Sequence, residues 1–353
     1  RPVLAQATAP TLTADEVNLW VVIKPDDTVV IRIVRSEMGQ GTRTGLAQLV
    51  AEELDCDWKK VTYEAPSAGQ NLARKRAWGA MATGGSRGIR DSHDYVRRGG
   101  AAARMMLVQA AADQFKVPVS ELTVSKGVIT HAATNRSVTY GKVADAAAKL
   151  TPPESKSIVL KKPQEWKIAG TAVPRLDTAD KVNGAKVFSI DLRLPGMLCA
   201  AVKSCPVFGG KLVSFDEAKV KAMRGVKGVV KVNDSTVAVV ADTWWRAKTA
   251  LDNLPIDWDL GPNAKASSTT IAAALKEGLS VDGDYWQRKE GDALAVIKAS
   301  AKTVDAVYSS QFLAHATMEP MNCVVQLSAD RAYAWVPTQN AEASIAALSE
   351  ASG

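Results

Sequence analysis

Residues 17–54 constrain the fold more than any other stretch. Two β-branched runs, VNLWVVIK (17–24) and TVVIRIV (28–34), are joined by Pro25-Asp26-Asp27, the pattern of a hairpin. A glycine-bearing turn, Ser36-Glu37-Met38-Gly39-Gln40-Gly41-Thr42, follows at once. It opens TRTGLAQLVAEEL, in which Leu46, Leu49, Val50 and Leu54 share one helical face. Strands and helices therefore interleave from the start.

The pattern continues along the chain. A strand is expected at about 60–65, followed by a Gly, Ser, Arg and Ala-rich stretch over 66–88. A long helix at about 90–115 is stopped by Pro118, short strands flank Lys126-Gly127, and a helix at about 141–149 closes the first domain. Thr151-Pro152-Pro153-Glu154-Ser155 reads as a linker. Further on, strands are expected at 186–191, 197–203, 229–233 and 236–240, with helices at about 216–223 and 242–253. Residues 264–289 start helical and turn polar, and strands at about 303–311, 321–328 and 331–336 precede a final helical pattern. The 353 residues predict two or three domains at roughly 150 residues each.

Composition excludes some classes. Apolar residues make up 46% and charged residues 23%, enough for a core in each domain and unlike a disordered chain. No apolar run is long enough to span a membrane as a helix. Lys plus Arg exceeds Asp plus Glu by 44 to 37, a net charge of +7 that suits an anionic cofactor, an acidic partner or nucleic acid. No helix-turn-helix, zinc-finger or aromatic RNA-binding signature accompanies it, so nucleic acid is the least favoured. Cys56, Cys199, Cys205 and Cys323 form no C-x-x-C pair, so they supply no local zinc or iron–sulfur ligand set. They read as four buried thiols, with one disulfide left open. Ala5-Gln6-Ala7 fits either the tail of a cleaved export signal or a plain N-terminal arm.

Four motifs can carry chemistry. The turn around Gly39, Gln40 and Gly41 and the loop Thr83-Gly84-Gly85-Ser86-Arg87-Gly88 each precede a helix. Glycine admits close backbone approach, and the first helical turn offers free N–H groups, so each is a candidate anion cradle. Arg43, Arg74, Lys75, Arg76, Arg87 and Arg90 lie nearby in sequence. The plainer reading is two tight turns with solvated arginines; neither has P-loop or G-x-G-x-x-G spacing. His315 and Glu319 have i, i+4 spacing for a metal, but Pro320 disfavours helix there, which favours a structural role. Pro337-Thr338-Gln339-Asn340 ends a strand, where Gln339 either donates to an oxygen in a cleft or belongs to a turn that caps the next helix.

In combination, S-E-M-G-Q-G-T (36–42), A-T-G-G-S (82–86), P-R-L-D-T-A-D-K-V-N-G-A-K-V-F (174–188), D-L-R-L-P-G-M-L (191–198), H-A-T-M-E-P-M-N-C (315–323) and P-T-Q-N (337–340) resemble the molybdenum hydroxylases. The early M-G-Q-G segment resembles the branch of isoquinoline 1-oxidoreductase and periplasmic aldehyde dehydrogenase large subunits. The likeness spans nearly the whole chain from about residue 13. It implies an α+β chain of molybdopterin-binding α/β domains plus an α/β hammerhead domain. The expected divisions are an arm over 1–12, a molybdopterin-binding domain over 13–150, a linker over 151–164, a hammerhead over 165–263, and over 264–353 the first part of a second molybdopterin-binding domain.

The resemblance also implies a molybdopterin cytosine dinucleotide whose dithiolene sulfurs, not protein, hold the molybdenum. Gly39, Gln40 and Gly41 would contact pterin and phosphate, as would Thr83, Gly84, Gly85 and Ser86, and Gln339 would hydrogen-bond an oxo ligand of the metal. The implied reaction hydroxylates an aldehyde carbon, or a carbon beside a ring nitrogen, with water-derived oxygen. Electrons would leave to iron–sulfur clusters in a small two-cluster partner subunit and, in many such enzymes, to a cytochrome c. The family's G-G-G-F-G stretch and the G-E-P supplying the catalytic glutamate do not occur in these residues, so a further polypeptide segment is expected to complete the site. A periplasmic place follows by the same resemblance, with attachment to the inner membrane through a partner.

Overall fold

The structure is a computed structural model describing residues 3–4, 13, 16–281 and 290–353. Ala5-Gln6-Ala7, most of the expected arm and the polar end of the 264–289 stretch lie outside the described residues. Strands and helices mix throughout, an α+β composition. Contacts group the chain into two compact units, Arg1–Arg193 with Ala316–Gly353, and Leu194–His315. This grouping joins residues 165–193 and 316–353 to the first unit, whereas the family-based divisions at 165 and 263 follow sequence motifs.

The first unit is built on a four-stranded sheet in the order Glu16–Asn18, Val21–Ile23, Val29–Arg32, Val61–Glu64. The first three are antiparallel neighbours and the last runs parallel to Val29–Arg32. The expected hairpin forms, with Asp27 at φ 68° and the Asp26 carboxylate accepting from Thr28 N at 2.9 Å. The 17–24 run is broken into two strands. The Asn18 side chain accepts from the N–H groups of Trp20 and Val21 at 2.9 and 3.1 Å, a local turn that competes with the ladder. A parallel neighbour requires a crossover, and helix Thr42–Leu54 supplies it.

That helix packs on the long helix His93–Phe115, which ends as Lys116 turns left-handed ahead of Pro118. The close approach is made by glycine: a Cβ on Gly100 would meet the Val50 carbonyl oxygen at 2.4 Å, and one on Gly99 would meet Trp20 at 2.6 Å. Val21, Ile31, Leu46, Val50, Leu54, Ala103 and Leu107 form the core between sheet and helices. A three-stranded meander, Leu122–Ser125, Val128–His131 and Arg136–Thr139, and helix Tyr140–Ala147 complete this body. Tyr140 is tied to it by a 2.6 Å bond from its hydroxyl to the Leu54 carbonyl.

The segment after the expected linker is stitched along helix Thr42–Leu54. The buried Glu52 carboxylate accepts from the N–H groups of Lys167, Ile168 and Ala169 at 2.7, 2.6 and 3.1 Å. One turn back, Gln48 donates to the carbonyls of Ile168 and Thr171, both at 3.1 Å. One turn further back, the Thr44 hydroxyl accepts from Leu176 N at 3.1 Å. Residues 44, 48 and 52 share a helical face, so chain 167–176 runs along that face against the helix direction. Burial pushes the Glu52 carboxyl up, but these N–H groups and Lys161 hold it below its ordinary value.

The chain re-enters this unit after residue 315. Val324–Leu327 and Ala332–Trp335 form an antiparallel pair, and helix Ala341–Ser352 follows. Ala341 and Ile345 pack against Val34, Ala68, Trp78 and Met81.

The second unit holds a three-stranded antiparallel sheet with Thr236–Ala241 between Cys199–Ser204 and Val226–Asn233. A separate antiparallel pair joins Lys211–Phe215 to Ile256–Asp259. Helix Trp244–Asp252 covers the core of Ala201, Val220, Val237, Val239, Ala247 and Leu251. Three expectations fail. Residues 186–191 form irregular chain and a single 3-10 turn rather than a strand. The helix expected at 216–223 is a single turn, Ala218–Lys221. Residues 303–311 form no strand: Val304, Val307 and Tyr308 are over four-fifths exposed, and a strand needs a paired neighbour to satisfy its backbone.

The cysteines also depart from expectation. All four are free thiols, but only Cys56 is buried, and Cys323 is exposed. Burial pushes the Cys56 thiol up to about 12. Among the described residues, no helix is long and apolar enough to cross a membrane.

Candidate functional site

The turn before helix Thr42–Leu54 is shaped by positive φ angles at Gly39 and Gly41, 100° and 85°, which glycine adopts without strain. Its N–H groups do not face outward as a free cradle. The Glu37 carboxylate accepts from Gly39 N at 2.7 Å, Gly41 N at 3.0 Å and Arg43 N at 3.0 Å. Gln40 likewise turns inward: its side-chain oxygen accepts from Met38 N at 2.6 Å and its amide donates to the Ser36 carbonyl at 2.9 Å. These hydrogen bonds take up groups expected to meet a phosphate. Met38, Gly39 and Gln40 keep exposed surface.

Arg175, from the stitched segment, closes this turn. It donates to the Gly39 carbonyl at 2.9 Å and to Glu37 at 3.3 Å, and it pairs with Asp177 at 3.1 Å. Asp177 is buried and also meets Lys181 at 2.6 Å and Arg43 at 3.9 Å. Burial opposes its charge, but Arg175 and Lys181 prevail and hold its carboxyl down to about 2. Arg43 stacks on the Tyr63 ring, 4.4 Å from its centroid.

The second loop is brought to the first by the end of the chain. Thr83 N donates to the Gln339 carbonyl at 2.7 Å, and the Gln339 side-chain amide donates to the Thr83 carbonyl at 2.9 Å. Ser36 joins both: its N–H donates to the Thr83 hydroxyl at 2.9 Å and its hydroxyl to the Thr338 carbonyl at 2.9 Å. Three motifs separated by up to 302 residues thus meet at Ser36, Thr83 and Thr338-Gln339. The helix-capping role falls to Asn340, whose side chain accepts from Ala343 N at 3.1 Å. An amide NH2 has two hydrogens, so Gln339 keeps one donor beyond its bond to Thr83.

Gly85 and Ser86 stand at consecutive left-handed φ values of 58° and 55° in an exposed loop. This loop does not open a helix directly, because helix His93–Phe115 begins after Ser92. An anion held here would meet the loop's own N–H groups and the Ser86 hydroxyl rather than a helix end. A Cβ on Gly84 would meet nothing within 4 Å, so this backbone is open to a ligand. Several expected cations brace the fold instead: Arg74 pairs with Glu16 at 2.8 Å, Arg76 with Glu342 at 3.3 Å, and Arg87 with Asp91 at 3.6 Å.

His315 and Glu319 are not on a helix. Glu319 accepts from Ile190 N and from Asn322 Nδ2, both at 3.1 Å, the loop-bracing role expected of it. Among the described residues no group of three or more His, Cys, Asp or Glu side chains could hold a metal. The backbone at Gly84 leaves room for a ligand, whereas the helix end already has the N–H groups of Gly39, Gly41 and Arg43 taken by Glu37.

Sequence reasoning missed Ser36, Glu37, Arg175 and Asp177 as organisers. The signal was an acidic residue just ahead of a glycine turn that opens a helix, where a carboxylate can satisfy the free N–H groups.

Comparison with known proteins gives this geometry its context. A model described as "Molybdopterin cofactor-binding domain" matches residues 3–189. The chain is 29% identical to the isoquinoline 1-oxidoreductase subunit beta of Brevundimonas diminuta, over 94% of this chain and 47% of that protein. It is 29% identical to a membrane-bound aldehyde dehydrogenase (pyrroloquinoline-quinone) of Gluconacetobacter polyoxogenes, over 88% of this chain and 41% of that one. The chain thus spans less than half the length of either relative. Among solved structures, a Cu,Mo-CO dehydrogenase aligns at 22% identity over 36% of this chain and 15% of its own, with a TM-score of 0.29. With more than half of its residues matched by the family model, the chain belongs to the molybdopterin cofactor-binding domain family.

Proposed function

We propose that this chain contributes one wall of the cofactor site in a molybdenum oxidoreductase acting on aldehydes. When bound, a molybdopterin cytosine dinucleotide supplies two-electron oxidation of a substrate carbon with oxygen drawn from water. In this reading the chain's own groups bind and orient. The N–H groups of Gly85 and Ser86 and the Ser86 hydroxyl meet the anionic ligand, together with Thr83 and Gly84. Exposed Gly39 and Gln40 border it, with Gly41 setting the turn. The second amide hydrogen of Gln339 points a neutral donor at a polar ligand atom. The general-base glutamate comes from another segment, on a polypeptide carrying G-G-G-F-G and G-E-P, separate from this one or continuous with it. Residues 165–263 form the hammerhead and 264–353 open the second cofactor domain. A two-cluster iron–sulfur subunit receives the electrons and passes them to a cytochrome c, in the periplasm at the inner membrane.

The observation that carries this reading is the junction of Ser36, Thr83 and Thr338-Gln339 in a family-matched chain. The isoquinoline oxidoreductase relative, at equal identity and wider coverage, favours a second reading, oxidation of an N-heteroaromatic carbon. Metal analysis of the native complex tests both. About one molybdenum per copy is expected, and none would leave only a non-catalytic scaffold. Steady-state rates on a small aldehyde and on isoquinoline then separate the two substrates.

A further inference from the structure

The N-terminus of helix Thr42–Leu54 already contains an anion. The Glu37 side chain is 1% exposed, and its carboxylate receives three backbone N–H bonds and the Arg175 guanidinium. Arg175 also holds the same turn through the Gly39 carbonyl. The turn is thus held by a carboxylate and by a guanidinium that bonds both that carboxylate and the turn's backbone. We propose that Glu37 is a positioning residue, a built-in anion that closes this helix end to external phosphate and fixes the Met38–Gly41 turn in its cofactor-receiving shape. The cofactor therefore meets this turn only through its exposed Met38–Gln40 surface. The proposal rests on the functional reading above in one respect, that a pterin ligand borders the turn.

The direction of the Glu37 ionisation agrees with this placement. Burial raises its carboxyl, and nearby Asp177 does the same, but the N–H groups of Gly41, Arg43 and Gly39 bring it below the ordinary value. A side chain that merely filled space would be replaceable by any group of its size. A built-in anion is replaceable by another anion.

The test uses the native complex carrying Glu37→Ala, assayed in chloride and in formate buffers. Molybdenum and released pterin are quantified and the Tm is measured. In chloride, the variant is expected to lose cofactor several-fold and to melt lower by on the order of 5 °C. Formate, entering the vacated position, is expected to restore part of both, and to leave the wild type unchanged. Wild-type Tm and cofactor content in chloride would overturn the proposal, as would a loss that formate does not relieve. Glu37→Gln keeps the size and removes the charge. It is expected to lose cofactor at neutral pH, and full retention by it would overturn the proposal even if Glu37→Ala gave no soluble complex. A wild-type complex without molybdenum would sink the functional reading alone, because the formate-dependent Tm would still report on Glu37.

Discussion

Ser86 and Gln339 bear on binding through different physics. The Ser86 hydroxyl is exposed and bonds to no other group among the described residues, so Ser86→Ala should fold with an unchanged Tm. In the proposed site it should lose pterin, since a hydrogen bond to a charged group is worth ~1.5–3 kcal/mol. Pterin content at wild-type levels would remove Ser86 from the site. Gln339→Ala gives up its bond to the Thr83 carbonyl, at a cost of about 1 kcal/mol, and should keep its cofactor but turn over more slowly. An unchanged kcat would refute that role. Asp177 makes a pH prediction. Its carboxyl lies at about 2 when folded and at about 4 when unfolded, so the unfolded chain binds the proton first. Its contribution, about 2 kcal/mol, is complete above about pH 4 and lost as pH falls towards about 2. Asp177→Asn should flatten the Tm profile between about pH 2 and about pH 5; a profile parallel to the wild type would show that Asp177 is uncoupled from folding. The glycine turns were legible in the sequence because glycine marks positive φ directly. Glu37 was not, because a carboxylate declares its role only once the N–H groups it meets are in place.

At the scale of elements, the hairpin, helix Thr42–Leu54, the long helix and the two strands flanking Lys126-Gly127 are readable from period and punctuation, since each is fixed by local chemistry; the third strand of that meander, Arg136–Thr139, is not. The failures share a cause. The 17–24 run carries strand composition throughout, yet Asn18 offers its backbone a competing turn. Residues 303–311 have strand composition but, among the described residues, no neighbour to pair with, and pairing is not written in the run itself. The helix–helix contact is likewise set by what lies opposite. Gly100→Ala would drive a methyl into the Val50 carbonyl, so it should destabilise the chain by about 1–3 kcal/mol. Gly278, where an added Cβ would meet nothing within 4 Å, is the control, and Ala there should be neutral or stabilising. Urea midpoints of the two variants check this, and equal midpoints would deny the close helix approach.

For the whole molecule, the decisive surface is the re-entrant segment 316–353. Its sheet has two strands, Val325 and Leu327 are half exposed, and Met318 and Met321 are almost wholly so. Two-stranded sheets are marginal in water, and open edges invite pairing. Residues 1–353 expressed by themselves should therefore self-associate through these edges, and adding the segment proposed to carry G-G-G-F-G and G-E-P, on the same polypeptide or another, should suppress it. Light scattering after size exclusion distinguishes the cases. A stable monomer of residues 1–353 would show that these edges need no cover. The resemblance named the motifs but not the thread that joins them, because contacts across 302 residues leave no local trace.

The stitching of residues 167–176 along helix Thr42–Leu54 makes the two sides of that pairing unequal under insertion and deletion. The helix rises about 12 Å between Thr44 and Glu52. The facing stretch of about eight residues could reach roughly 28 Å if extended, so that side carries slack. One residue added between Thr171 and Pro174 is absorbed in the slack, and every anchor keeps its partner. One residue added inside the helix turns everything beyond it by about 100°, so Thr44 and Glu52 can no longer face the same neighbour. Changes in gene length are thus tolerated on one side of this seam and forbidden on the other, although the two sides share the same hydrogen bonds.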